Sequence, residues 1–178
     1  KNSVNALLKI IEEPNENVYF ILINNNEKYI LPTLQSRCLT FKINFTFTQS
    51  IFISNQILNK NIFDLINNDL ISYYSTPGEI INLINFSSEK KINLKDYTLV
   101  DFLYFLIDGG FYKKNILIKK LLVNFIELFF LKEYVKTNMK ISLLSFYQSF
   151  IKKIHYTERF NLDEESLFLE FKSKLLNG

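Results

Sequence analysis

Cysteine and histidine are almost missing: Cys38 and His155 stand alone of their kinds in 178 residues. One of each is too few for a four-ligand zinc site or an internal disulfide, and a reducing cytoplasm is the expected setting. Glycine occurs four times and proline three, and no glycine-rich phosphate loop, G-x-S-x-G elbow or metal-ligand cluster is found. No secretory segment opens the sequence. The most apolar run, LLVNFIELFFL from Leu121 to Leu131, carries Asn124 and Glu127 and is too short to span a bilayer, so it reads as a buried helix with no membrane partner. A chain that opens on Lys1 and has Met139 as its one methionine is expected to be a piece of a longer product.

Arginine is scarce in another way. Of 21 basic residues only Arg37 and Arg159 are arginine. The bias towards Lys, Asn, Ile and Phe has the imprint of an A/T-rich genome, in which arginine is disfavoured. Guanidinium is planar, permanently charged and able to grip two oxygens at once, so an arginine kept against that bias is a candidate for work that lysine cannot do.

What is present is ordinary for a globular protein: 48% hydrophobic and 22% charged residues, with a net charge of +3. That charge is too weak to argue for nucleic acid. The lysines fall in scattered pairs (Lys90/Lys91, Lys113/Lys114, Lys119/Lys120, Lys152/Lys153), as solvated helix faces do.

Val4, Leu7, Leu8 and Ile11 share a helical face that Pro14 closes. NVYFILI, Asn17 to Ile23, has the continuous apolar run of a strand buried on both faces, and it ends in Asn24, Asn25 and Asn26. A short helix around Pro32 and a strand over LTFKINF, Leu39 to Phe45, follow. Helix, strand, helix, strand implies part of an α/β domain with a parallel sheet, whose ligands would sit beyond the strand ends, where the asparagines lie.

Past Thr46 helical periodicity takes over. Helices are expected near 48–59, 62–73 and 78–85, forming one small bundle. A linker is expected over the polar NFSSEKKINLKD, Asn85 to Asp96, and long helices near 96–107, 114–136, 140–156 and 164–176. The domain reading is therefore 1–45, 46–88 and 94–178. Two adjacent carboxylate pairs, Glu12/Glu13 and Glu164/Glu165, point apart on their helices and read as solvated helix ends rather than a catalytic pair. His155, among Lys and Tyr on a helix, reads as a surface residue.

Taken together, NALLKIIEEP (Asn5 to Pro14), VYFILINNN and LPTLQSRC (Leu31 to Cys38) resemble the bacterial clamp-loader subunits of the AAA+ class, with their NALLKxLEEP helix, sensor-1 strand and LPTxxSRC motif. The match covers about the first 45 residues, and the rest fits the family more weakly. The resemblance implies the C-terminal part of an AAA+ α/β core, a three-helix lid and a helical collar. It makes Arg37 an arginine finger reaching in trans into a neighbour's ATP site, where such a group is worth roughly 10³ to 10⁵ in rate. Sensor 1 falls on Asn24 or Asn25, although the three asparagines also suit a plain turn. Ser36 and Cys38 shape the turn around Arg37.

The family contains hydrolysing gamma/tau subunits and a largely stationary delta-prime type. In STPGEIINL, Ser75 to Leu83, Gly78 stands where the ATPases carry a sensor-2 arginine, with Glu79 beside it. A carboxylate there would repel a triphosphate, which favours the delta-prime type. The resemblance then implies no cofactor in this chain itself, ATP and magnesium bound by a neighbouring subunit, and a possible zinc module upstream. Its implied partners are the gamma/tau and delta subunits and, through their complex, the sliding clamp and primer-template DNA. Other readings are a gamma/tau-type ATPase, another AAA+ remodelling protein, and a helical interaction module outside replication.

Overall fold

The computed structural model describes residues 10–12, 15–24, 31–137, 141–160 and 162–176. The chain divides into two units, Lys1–Asn44 and Phe45–Gly178.

In the first unit, residues 10–12 are helical, and the rest of the helix expected from Asn2 to Glu13 lies outside the described residues. A turn follows, with Asn17 at φ 64° and Val18 N–H donating to the Asn15 carbonyl. Helix α1, Pro32–Gln35, starts on proline, whose fixed φ and missing N–H suit a first helical turn. The strands expected over 17–23 and 39–45 are not formed: among the described residues no strand is present, and 18–24 and 39–46 are irregular backbone. The α/β part of the expected fold class is therefore not shown among the described residues. The apolar pattern is right for a strand, but a strand satisfies its N–H and C=O groups through a neighbour, and the described residues pair it with none.

The second unit is helical, and hydroxyl and amide side chains open nearly all its helices. In α2 (Phe47–Leu58) Thr46 and Gln49 form a reciprocal capping box, and Asn59 closes the helix in the left-handed region. Thr76 and Glu79 form the same box at α4 (Pro77–Lys90), and Thr98 with Asp101 at α5 (Leu99–Asp108). Between α2 and α4, the helix expected over 62–73 is broken into α3 (Ile62–Leu65) and a 3-10 turn, Asn68–Leu70. Asn61 and Asn67 each cap their own short turn, and the Asn67 N–H bonds the Leu94 carbonyl instead of continuing the helix.

The expected linker from Asn85 is corrected as well. Helix α4 continues to Lys90 because Phe86 and Ser87 are buried, and Leu94, 1% exposed, anchors the 3-10 turn after it. Gly110, at φ 59°, then makes the turn between α5 and α6 (Ile116–Lys136), where only glycine avoids strain. Helices α7 (Ile141–Phe160) and α8 (Glu164–Phe171) complete the unit, with a π turn over Lys172–Leu176.

One apolar cluster runs through this unit, from Ile62 and Ile66 through Leu83, Phe86 and Phe102 to Phe150 and Phe171. Aromatic rings join its parts edge to face: Phe86 with Phe102 at 6.4 Å, Phe102 with Phe125 at 5.3 Å, and Phe129 with Phe171 at 5.6 Å between centroids. Ion pairs tie down the surface. Glu164 and Glu165, expected as solvated, pair with Lys119 and Lys113 and so hold the start of α8 to the start of α6 and the turn before it.

Candidate functional site

The short helix α1 places Arg37. Its backbone N–H donates to Leu34 at 3.1 Å, and that of Ser36 to Pro32 at 3.0 Å, so the chain turns tightly out of the helix. The Ser36 hydroxyl donates to the Thr33 carbonyl at 3.1 Å, a turn-shaping role. Cys38 is a partly exposed free thiol.

The Arg37 guanidinium is engaged within its own unit. Nε and Nη2 both meet Oε1 of Glu12, and Nη1 donates to the Thr33 carbonyl at 2.7 Å. Nη1 also lies 3.5 Å from the Ser36 hydroxyl, at the limit of a hydrogen bond. The two side chains are 37% and 43% exposed. A pair so open to water contributes at most about 1 kcal/mol, and it fixes an orientation more than it holds the fold. Glu12 is exposed, as expected of a solvated helix end, and in addition pairs with Arg37. No periodicity or motif spacing links Glu12 to a residue 25 positions on, so sequence reasoning missed the pair.

Asn24 is exposed and has an interaction partner. The other sensor-1 candidate, Asn25, lies outside the described residues.

Gly78 and Glu79 stand in the other unit, in the first turn of α4. A Cβ added at Gly78 would meet nothing within 4 Å, so no close packing demands glycine there. Glu79 is fully occupied. One oxygen accepts the Thr76 N–H at 3.0 Å as part of the cap, and the other accepts Asn124 Nδ2 of α6 at 2.9 Å. The carboxylate thus both caps its helix and straps it to α6.

Beside that strap opens a cavity of about 440 Å³. Its walls are mainly apolar, with Leu83, Leu128 and Leu143 among them, and Glu127 and Tyr147 add polar atoms. Burial against these walls pushes the Glu127 carboxyl above its ordinary value even though the side chain reaches solvent. Burial, and then the Glu127 charge, pushes the Tyr147 hydroxyl upward too. Asp69, beside α6, moves the opposite way: burial opposes ionisation, but hydrogen bonds from Lys132 and the Leu99 N–H, with the charge of Lys132, hold it below the usual range. Among the described residues no group of His, Cys, Asp and Glu could hold a metal ion, and no helix is long and apolar enough to cross a membrane.

The family match falls on the part of the chain that carries Arg37. Residues 1–46 match the family described as DNA polymerase III, delta subunit. Parts of the chain are similar to gamma and delta' subunits of DNA polymerase III. The chain is 38% identical over 106 residues to DNA polymerase III subunit gamma of Buchnera aphidicola subsp. Schizaphis graminum, a match covering 55% of this chain and 29% of that protein. It is 57% identical over 37 residues to DNA polymerase III subunit delta' of Buchnera aphidicola subsp. Baizongia pistaciae, covering 21% of this chain and 11% of that one. A second delta' relative, from subsp. Schizaphis graminum, is 46% identical over 43 residues, 24% of this chain and 13% of its own length. The chain therefore spans less than a third of the clamp-loader relatives it matches. No solved structure matches.

Proposed function

We propose that the chain is part of a delta-prime-type subunit of the DNA polymerase III clamp loader, acting in the cytoplasm. In this reading it hydrolyses no ATP itself. Its helical unit supplies lid and collar, and Arg37 reaches into the ATP site of an adjacent gamma-type subunit, where a planar cation stabilises the charge that develops on the transferred phosphoryl group. The ATP and magnesium belong to that neighbour. The assembly with gamma/tau and delta subunits would open a sliding clamp and place it on primer-template DNA.

The observation that carries this reading is the family match over residues 1–46, which contains the SRC motif with Arg37 at the surface. The sequence at Gly78 supports the delta-prime choice. No packing demands glycine there, so the absence of an arginine is not a steric compromise, and the adjacent Glu79 carboxylate would oppose a triphosphate.

A gamma-type ATPase is the second reading. It is favoured by the match to subunit gamma, which covers more of this chain than either delta' match.

The test is ATP hydrolysis by the full-length parent protein, alone and assembled with the gamma-type and delta subunits and primed DNA. The delta-prime reading expects no turnover alone, DNA-stimulated turnover in the complex, and a loss of roughly 10³-fold or more with Arg37→Ala. Turnover by the parent protein alone would establish the gamma-type reading. Failure to join the complex would remove the clamp-loader assignment.

A further inference from the structure

We propose that Glu12 is the positioning residue for Arg37: it holds the Nε side of the guanidinium and so aims the planar cation at a phosphate. This rests on the reading that Arg37 serves a neighbour's ATP.

A guanidinium has five N–H bonds in one plane. Among the described residues two are committed to hydrogen bonds, Nε–H to Glu12 and one N–H of Nη1 to the Thr33 carbonyl. The same Glu12 oxygen also lies in ion-pair contact with Nη2. A planar cation so held can offer further N–H groups of Nη1 and Nη2 to phosphate oxygens. The Ser36 hydroxyl, 3.5 Å from Nη1, competes at most weakly for one of them.

Arginine on a surface turn samples many rotamers, and each one aims the fork elsewhere. Two anchors on the plane, one from the helical residues at 10–12 and one from the backbone of α1, restrict that freedom before any phosphate arrives. Preorganised donors of this kind avoid reorganisation during the reaction. The opposite role, in which Glu12 competes with phosphate and holds Arg37 back, predicts effects of opposite sign.

Because a single oxygen makes both contacts, the two conservative substitutions separate position from charge. Glu12→Gln keeps an oxygen at the same reach and loses the charge. Glu12→Asp keeps the charge and withdraws the oxygen by one methylene. The experiment measures ATP turnover, over a range of ATP concentrations, for each full-length variant assembled with the gamma-type and delta subunits. Complex formation is checked by size-exclusion chromatography.

Positioning predicts that Glu12→Ala and Glu12→Asp lose about 10- to 100-fold in kcat, as expected for a misplaced group, with KM for ATP within about threefold of wild type. Glu12→Gln should keep at least about a third of the activity. Glu12→Ala combined with Arg37→Ala should be no slower than Arg37→Ala alone, since there is then no fork left to aim. Three results would overturn the proposal: Glu12→Ala as fast as wild type or faster, Glu12→Asp more active than Glu12→Gln, or independent losses in the double variant. If any of these appears while Arg37→Ala still abolishes turnover, positioning fails and the arginine finger stands. If Arg37→Ala itself turns over like wild type, the finger reading falls and this inference falls with it.

Discussion

The two units of the chain treat apolar side chains in opposite ways. In the helical unit Phe102, Leu103, Leu122 and Ile126 are 0% exposed. In the first unit Tyr19, Ile21 and Ile23 are 85–89% exposed, while the alternate residues Val18, Phe20 and Leu22 are 43–47% exposed. Leu39, Phe41 and Ile43 are 76–87% exposed. A helix satisfies its backbone within itself and needs a partner for only one face, so the helices of the second unit close a core among themselves. A strand needs neighbours along both edges and cover on its faces, and residues 18–24 and 39–46, which have the sequence of strands, form no strand among the described residues. The difference teaches that the helical unit buries its apolar side chains in a core of its own, whereas the described strand-like segments of the unit bearing Arg37 leave theirs exposed.

The sharpest way to break this comparison is to remove one large side chain from each unit. Phe102→Ala should lower the unfolding free energy of the helical unit by about 3–5 kcal/mol, because the ring lies in contact with Phe86 and Phe125 and leaves a cavity. Ile21→Ala should change it by less than about 0.5 kcal/mol. Urea titration followed by circular dichroism measures both, and equal losses would show that residues 18–24 are packed after all.

A smaller effect is expected at the start of α4. Glu79→Ala removes a cap acceptor and the partner of Asn124 and should cost about 1–2 kcal/mol. Gly78→Ala, one residue earlier, should instead stabilise by up to about 1 kcal/mol, since the added methyl meets open space and glycine is the poorer helix former. Opposite signs at neighbouring positions would tie the role of Glu79 to its side chain rather than to the turn.

The smallest effect belongs to Asp69 and Lys132. Asp69 titrates lower in the folded protein than the ordinary 3.8, so in acid the unfolded chain binds more protons. Its contribution is therefore fully present above pH 3.8 and is lost as pH falls through the lower folded value. The pair is open to solvent, so the loss should be under about 1 kcal/mol, and Asp69→Asn should flatten that part of the acid-unfolding curve.

Much of the helical unit was legible because its signals are local. Apolar spacing marks the helices, and Thr-Pro-Gly-Glu at 76–79 is a capping box written in four letters. That same box was read only as a remnant of a nucleotide site, and its bond to Asn124, 45 residues away, has no local signature. Polarity alone misplaced the end of α4, because Phe86 is a core residue inside a polar run. Of the candidate site, Arg37 was found by its rarity and its motif. Glu12 was not, since a pair 25 residues apart depends on how the chain turns between them.

The central claim is that Arg37 works as a fork on phosphate and not as a charge alone. Its most direct test is Arg37→Lys in the full-length subunit assembled with the gamma-type and delta subunits, followed by DNA-stimulated ATP hydrolysis. Lysine keeps the charge and loses the planar pair of donors, so the account predicts intact assembly with turnover close to that of Arg37→Ala. Turnover equal to wild type would contradict it.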